Sequence, residues 1–241
     1  RSGLLLLAAN PIGRGLLRNL VGYWPLSEAS GSRLDRSVNG LTLTDNATVT
    51  GNPGPSAKLP LASQFTALNS EYLSRADEAL LSIGASSCEL IFWVYADSSA
   101  VMRFFSKQAA PPNLEYYCQW VPADTGVYFG AWHSGVLTVV KSGTDLATGA
   151  WTMIDAYFDN VALVKGIALN GAAFVTAAAG SDTIDDGAAQ FTVGSINGTG
   201  EFANGRIAGL SFWKRVLTAK ERSYMRNGGA GRTFFPGRGF R

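Results

Sequence analysis

The residues able to do chemistry are few, and their spacing points away from catalysis. His133 is the one histidine in the chain. A serine-type triad would need it beside an acid and a nucleophile. Its setting, Ala131-Trp132-His133-Ser134-Gly135, reads as a hairpin turn and predicts an exposed histidine. Cys88 and Cys118 fall in strand-like stretches. They pair only if their strands are neighbours, and free buried thiols are the expected state. One His and two Cys are too few for zinc. Glu89 is the only acid between Glu78 and Asp97, inside an apolar run; Asp155 and Asp159 stand near a strand end; Asp182, Asp185 and Asp186 gather in a loop. Retaining glycoside hydrolysis needs two carboxylates about 5–5.5 Å apart on one face. No local spacing supplies them, so no enzyme is expected. Gly198-Thr199-Gly200 opens no helix, so it is not a phosphate loop.

Binding chemistry is better represented. Tyr116, Tyr117, Trp120, Tyr128, Trp132 and His133 crowd adjacent hairpins. Alternate strand residues face opposite ways, so part of this set turns outward, where aromatic faces stack on sugar rings. Tyr116, Tyr117, Trp120, Trp132 and His133 are the candidate glycan-binding set. Burial between sheets is the competing reading.

Those hairpins belong to a long series of strands. Residues 88–96 are the strongest: Cys88, Leu90, Phe92 and Val94 share one face, with Glu89, Ile91, Trp93 and Tyr95 on the other. Both faces are largely apolar, which predicts a central strand covered on both sides. Leu20-Val21-Gly22-Tyr23-Trp24 near one end matches Ile207 to Lys214 near the other, and the two are expected to pair. Asn39-Gly40 and Asn170-Gly171 mark turns, and Asn52-Pro53-Gly54-Pro55 is expected to end a strand section. One helix is predicted over 218–226: Thr218 and Glu221 have capping-box spacing, and Asn227-Gly228-Gly229 stops it. Asn10-Pro11-Ile12-Gly13 is expected to break any earlier helix.

The 241 residues fit one large β domain with 46% hydrophobic and 16% charged residues. The net charge of +2 argues against a nucleic-acid partner. No apolar run reaches the length of a membrane-spanning helix, so no membrane insertion is expected. The division predicted is an N-terminal arm over 1–18, a sandwich over 19–227 and a Gly/Arg-rich tail over 228–241.

Three stretches together resemble a laminin-G-like domain of the concanavalin A-like lectin/glucanase jelly-roll superfamily, of the type found among phage and environmental bacterial proteins. They are Gly22-Tyr23-Trp24-Pro25-Leu26 with Gly31 and Asp35; Gln64-Phe65 through Glu71-Tyr72-Leu73-Ser74 to Phe92-Trp93-Val94; and Gly205-Arg206-Ile207 through Phe212-Trp213-Lys214-Arg215-Val216-Leu217-Thr218 to Asn227-Gly228. The resemblance implies an all-β, two-sheet antiparallel jelly-roll sandwich with one short C-terminal helix and extended arms. It implies that Trp24, Trp93, Trp151 and Trp213 are core. Glycosidases of the superfamily resemble one another in a Glu-x-Asp-x-x-Glu strand, which this sequence lacks. Many laminin-G-like domains bind calcium. Here Asp35 and Asp45 are the candidate calcium ligands, with ordinary turn-capping as the alternative.

The main functional expectation is a non-enzymatic assembly protein. It would be a virion decoration, capsid-associated or fibre subunit, or an extracellular surface subunit, forming a homo-oligomer or joining other structural subunits. Leu4, Leu5, Leu6, Leu7, Arg14, Arg232, Phe234, Phe235 and Arg238 are the residues expected to reach neighbours. The alternative is a carbohydrate-binding adhesion module with glycan partners. Both readings place the protein in a virion, outside the cell or on the cell surface.

Overall fold

The structure, a computed structural model, describes residues 11–233. Its strands are β1 (Leu20–Trp24), β2 (Thr44–Asn46), β3 (Thr50–Ser56), β4 (Leu59–Phe65), β5 (Tyr72–Arg75), β6 (Cys88–Ala96), β7 (Met102–Gln108) and β8 (Leu114–Val121). There follow β9 (Gly126–His133), β10 (Val136–Lys141), β11 (Trp151–Asp159), β12 (Val164–Leu169), β13 (Val175–Ala178), β14 (Phe191–Val193) and β15 (Gly205–Trp213). Two helices, α1 (Pro11–Leu17) and α2 (Ala219–Arg226), flank the series. One sheet has eight strands in the order β13-β12-β11-β6-β15-β4-β3, with β1 also on β15. The second has seven, in the order β10-β9-β8-β7-β14-β5-β2. The pairs are antiparallel, and the two sheets close on one core, as a jelly-roll sandwich does.

The central position of β6 follows from its two apolar faces. It lies between β11 and β15, with Leu90, Phe92 and Val94 in the inter-sheet core and Ile91 and Trp93 in a second core on the outer face. The matching ends do pair: Tyr23 opposes Ser211 and Trp24 opposes Leu210. Cys88 and Cys118 are free, buried thiols, one on each sheet, and burial pushes both pKa values up.

Two breaker signals were misleading. Asn52-Pro53-Gly54-Pro55 lies inside β3, because β3 is an edge strand and needs no ladder donor on its open side. Pro11 begins α1, where its missing N–H is no loss. The described part of the N-terminal arm is therefore helical and docked. Trp213 Nε1 donates to Leu16 O at 2.7 Å, and Arg215 donates to Gly15 O and Arg18 O. The capping box on α2 is present: Glu221 N donates to Thr218 Oγ1, and Glu221 Oε2 accepts from Thr218 N. Burial alone would raise the Glu221 pKa, but hydrogen bonds from Arg215 and Thr218 overcome that and hold it below the usual range.

Both helices lie over the outer face of the eight-stranded sheet. Leu16, Leu217 and Met225 seal Ile91, Trp93, Met153, Ala208 and Trp213 there. The outer face of the seven-stranded sheet has no helix among the described residues. The loop after β14 crosses part of it, since Ser195 O accepts from Ser106 Oγ and Thr192 Oγ1.

Candidate functional site

The five aromatic and histidine residues expected to hold a glycan separate into two sets. Tyr116, Trp120 and His133 face inward, which corrects their assignment as a binding surface. Tyr116 is fully buried and donates from Oη to Leu81 O at 2.6 Å; Trp120 donates from Nε1 to Asp145 Oδ1 at 2.8 Å. His133 is the last residue of β9 and not part of the turn, so strand alternation points it inward, and it is only 6% exposed. Its ring packs 5.8 Å from Phe158, and Nδ1 donates to Thr183 O at 2.6 Å.

Tyr117 and Trp132 do face outward and form a small cluster with Tyr128, but they are 5%, 8% and 7% exposed. The rings of Tyr117 and Trp132 are 5.4 Å apart. Tyr117 lies flat over Gly130, where any Cβ would come within 2.4 Å of its ring. Its other face is covered by the Arg103 guanidinium at 4.1 Å. Arg103 is itself neutralised by Glu201 at 2.6 Å, and Lys141 covers Tyr128 at 4.7 Å. Burial lowers the Arg103 pKa, and Glu201 works against that shift. This is a sealed stack with no free ring face.

An open aromatic surface exists on the other sheet. Arg206 on β15 is opposite both Gln64 on β4 and Tyr95 on β6, and Tyr95 is opposite Trp151 on β11. Register partners share a face. Their neighbours Phe65, Ile207 and Val94 point into the inter-sheet core. Gln64, Arg206, Tyr95 and Trp151 therefore form one outward row across four strands. It begins where the helical cover ends: Trp93 and Ala208, two residues along β6 and β15, are sealed, whereas all four members of the row are half-buried. Trp151 packs against the outer core but is only half-buried at its margin, while Trp24, Trp93 and Trp213 are buried. The Arg206 guanidinium lies 3.7 Å over Tyr95 and 5.6 Å from Trp151, and the two aromatic rings are 5.6 Å apart. Gly205 lets the β15 and β6 backbones lie close here, since a Cβ there would fall 2.1 Å from the backbone oxygen of Tyr95. The far end is polar. Gln64 Nε2 donates to Asp97 Oδ2 at 2.9 Å, and Asn52 Nδ2 donates to Gln64 Oε1 at 3.3 Å. Arg206 Nη1 makes one long bond, 3.3 Å, to Pro53 O, and Nε is buried without a partner. No carboxylate among the described residues is within ion-pair reach of Arg206.

Sequence spacing also missed a pair of acids. Glu89 and Asp155, on neighbouring strands, converge on Arg222. Arg222 donates twice to Glu89 at 2.8 Å, and Leu217 N donates to Glu89 Oε2 at 2.7 Å. Burial, and then the Glu89 charge, pushes the Asp155 pKa well above the usual carboxyl range. Both acids are buried beneath α2 with their bonding directed to the helix. The arrangement ties α2 to the sheet and offers no reacting position.

Asp35 does not suit calcium. Its Oδ1 accepts from Tyr23 N and Ser37 N, and its Oδ2 from Ser37 Oγ and Leu41 N, which fills the lone pairs a cation would need. Asp45 accepts from Gly31 N and Val49 N. Among the described residues no three His, Cys, Asp or Glu side chains gather as a metal site. Of the residues expected to reach neighbours, Arg14 is exposed on α1. Arg232 is bound to its own chain, donating to Tyr224 O and Asn227 Oδ1 over the Tyr224 ring. Leu4, Leu5, Leu6, Leu7, Phe234, Phe235 and Arg238 lie outside the described residues.

A two-sheet body with β1 closing on β15 is the architecture the sequence resemblance implied. The sequence profile of one family, described as the concanavalin A-like lectin/glucanases superfamily, matches residues 69–221. The chain belongs to that superfamily. Several solved structures are similar in fold at low identity. The binding domain of Paraclostridial Mosquitocidal Protein 1 superposes with a TM-score of 0.69 at 13% identity, over 89% of this chain and 53% of that one. Domain 4 of AbnA, a GH43 extracellular arabinanase from Geobacillus stearothermophilus solved with arabinotriose, gives 0.63 at 19%, over 84% and 96%. The binding domain of botulinum neurotoxin DC, solved in complex with SialylT, gives 0.62 at 9%, over 88% and 52%. The chain thus spans about half the length of the two toxin chains. At these identities the likeness shows the fold alone. The comparison with curated proteins gave no match. No helix among the described residues is long and apolar enough to cross a membrane.

Proposed function

We propose that the chain is a non-catalytic glycan-binding module, working outside the cell or at a surface, with the Gln64–Arg206–Tyr95–Trp151 row as its platform. One observation carries the proposal: this row combines half-exposed aromatic rings with a guanidinium and a side-chain amide in register on a rigid sheet. A pyranose or furanose has an apolar C–H face for Trp151, beside the Arg206-covered Tyr95 ring, and hydroxyls for Asn52, Gln64 and Asp97. Strands hold such groups more firmly than loops do. Two proteins of similar fold were solved with saccharide-type ligands, arabinotriose and SialylT, which supports the reading.

The assembly reading has weaker support. The described parts of both termini rest on their own sandwich. Similar solved structures are described as binding domains.

The test is calorimetric titration of the intact chain with arabinotriose and a panel of neutral and acidic oligosaccharides. Saturable binding to at least one is expected, weakened about tenfold or more by Trp151→Ala with the melting temperature kept. Binding that survives Trp151→Ala and Tyr95→Ala, or no binding across the panel, overturns the proposal.

A further inference from the structure

We infer that this platform selects sugars bearing a carboxylate, with Arg206 as the residue that reads the charge. The inference rests on the glycan-binding reading of the row and names its ligand class.

Four other arginines of this chain, three of them buried and one largely so, set the comparison. Arg103 pairs with Glu201, Arg215 with Glu221 and Arg222 with Glu89. Arg33, fully buried, spends its guanidinium on Ser63 Oγ, Gly31 O and Val49 O. Each of these has its charge or its donors answered from within. Arg206 has neither answer: one long bond to a carbonyl, a buried Nε with no acceptor, and no carboxylate in reach. Guanidinium groups present a planar fork that matches a carboxylate in two parallel bonds. A half-buried guanidinium left without one is prepared for an acid from outside.

Geometry defines how that acid would arrive. The guanidinium sits over the Tyr95 ring at 3.7 Å and 5.6 Å from the Trp151 ring, so an acid bound to it lies beside the exposed indole. A sugar ring stacked on Trp151 places a ring carboxylate beside Arg206. Asp97 is the one acid tied to the row, and it is bound to Gln64 at the far end. Its carboxylate repels an anion there and accepts sugar hydroxyls. The row therefore has a direction, with the acid at Arg206 and hydroxyls toward Gln64 and Asp97. Gly149, whose N–H bonds Ala96 O, has only the Tyr95 hydroxyl near its missing side chain, at 3.7 Å, so the Tyr95 edge stays open.

The experiment compares each acid with its uncharged counterpart on the intact chain: trigalacturonate against its methyl ester, and sialyllactose against lactose. In at least one pair the acid is expected to bind about tenfold more tightly, and added salt should reduce the gap. Arg206→Gln should erase the preference, read as the ratio of acid to uncharged affinity measured on the same variant, whatever its absolute affinities. Equal binding within both pairs, or a preference that persists in Arg206→Gln, overturns the inference. If neutral sugars bind at Trp151 and no acid is preferred, the charge selection is wrong and the platform stands. If a variant fails to fold, the perturbation of the Trp151 indole signal in the NMR spectrum of the wild-type chain decides: acid must move it and its uncharged counterpart must move it less.

Discussion

Among the arginines that lie on tyrosine rings, Arg103 and Arg206, one on each outer sheet face, have opposite circumstances. Arg103 covers Tyr117 at 4.1 Å, and Arg206 covers Tyr95 at 3.7 Å. Arg103 is 4% exposed and paired with Glu201; Arg206 is half-buried and unpaired. The first stack is boxed by Gly130, Trp132 and the loop carrying Glu201, whose backbone oxygen also accepts from Arg103 N. The second stands at the edge of a helical cover that stops two residues short of it. The same cation–ring pair is thus packing where its charge is met and its surroundings closed, and stays open to solvent where neither holds. Residue type does not separate the two cases; partner and cover do.

The largest expected effect attacks the closed stack. Gly130→Ala places a methyl where the Tyr117 ring lies, and the ring is held by Arg103 and Trp132. A loss of about 2 kcal/mol is expected in chemical denaturation, as for other overpacked interiors. No loss would mean that the cluster is loose enough to receive a ligand, and the contrast between the faces would fail. Next, Glu201→Gln removes the carboxylate from Arg103 and makes it resemble Arg206. A cost of about 1–2 kcal/mol is expected, reduced by the partial exposure of Glu201. The same measurement on Arg206→Gln should change stability by less than about 0.5 kcal/mol, because no internal partner is lost. A larger cost would show that Arg206 is structural.

The fold was readable to a considerable depth, and each success has a local cause. The two apolar faces of residues 88–96 announced a central strand, and Thr218 with Glu221 announced a capped helix start, because these signals act within a few residues. Pro11 and Pro53 misled because proline is excluded from helix interiors and central strands only, and whether a position is interior or at an edge depends on neighbours distant in sequence. His133 misled for a similar reason: one step of register decided whether it belonged to the turn or to the strand.

The site was much less legible. The dense aromatic run 116–133 drew attention as a surface, yet half of it fills the inter-sheet core and the remainder is capped. Gln64, Tyr95, Trp151 and Arg206 come from four separated segments, none conspicuous alone. Glu89 and Asp155 are likewise 66 positions apart in the chain and adjacent in the sheet.

The amino-acid order by itself determined strand period, turns, the capped helix and hence the two-layer class, since these depend on backbone preference and the burial of alternate side chains. Tertiary structure alone decided which aromatic rings are covered and which cation lacks a counter-charge. Both depend on strand order and on where two short helices come to rest, and those are long-range outcomes of packing.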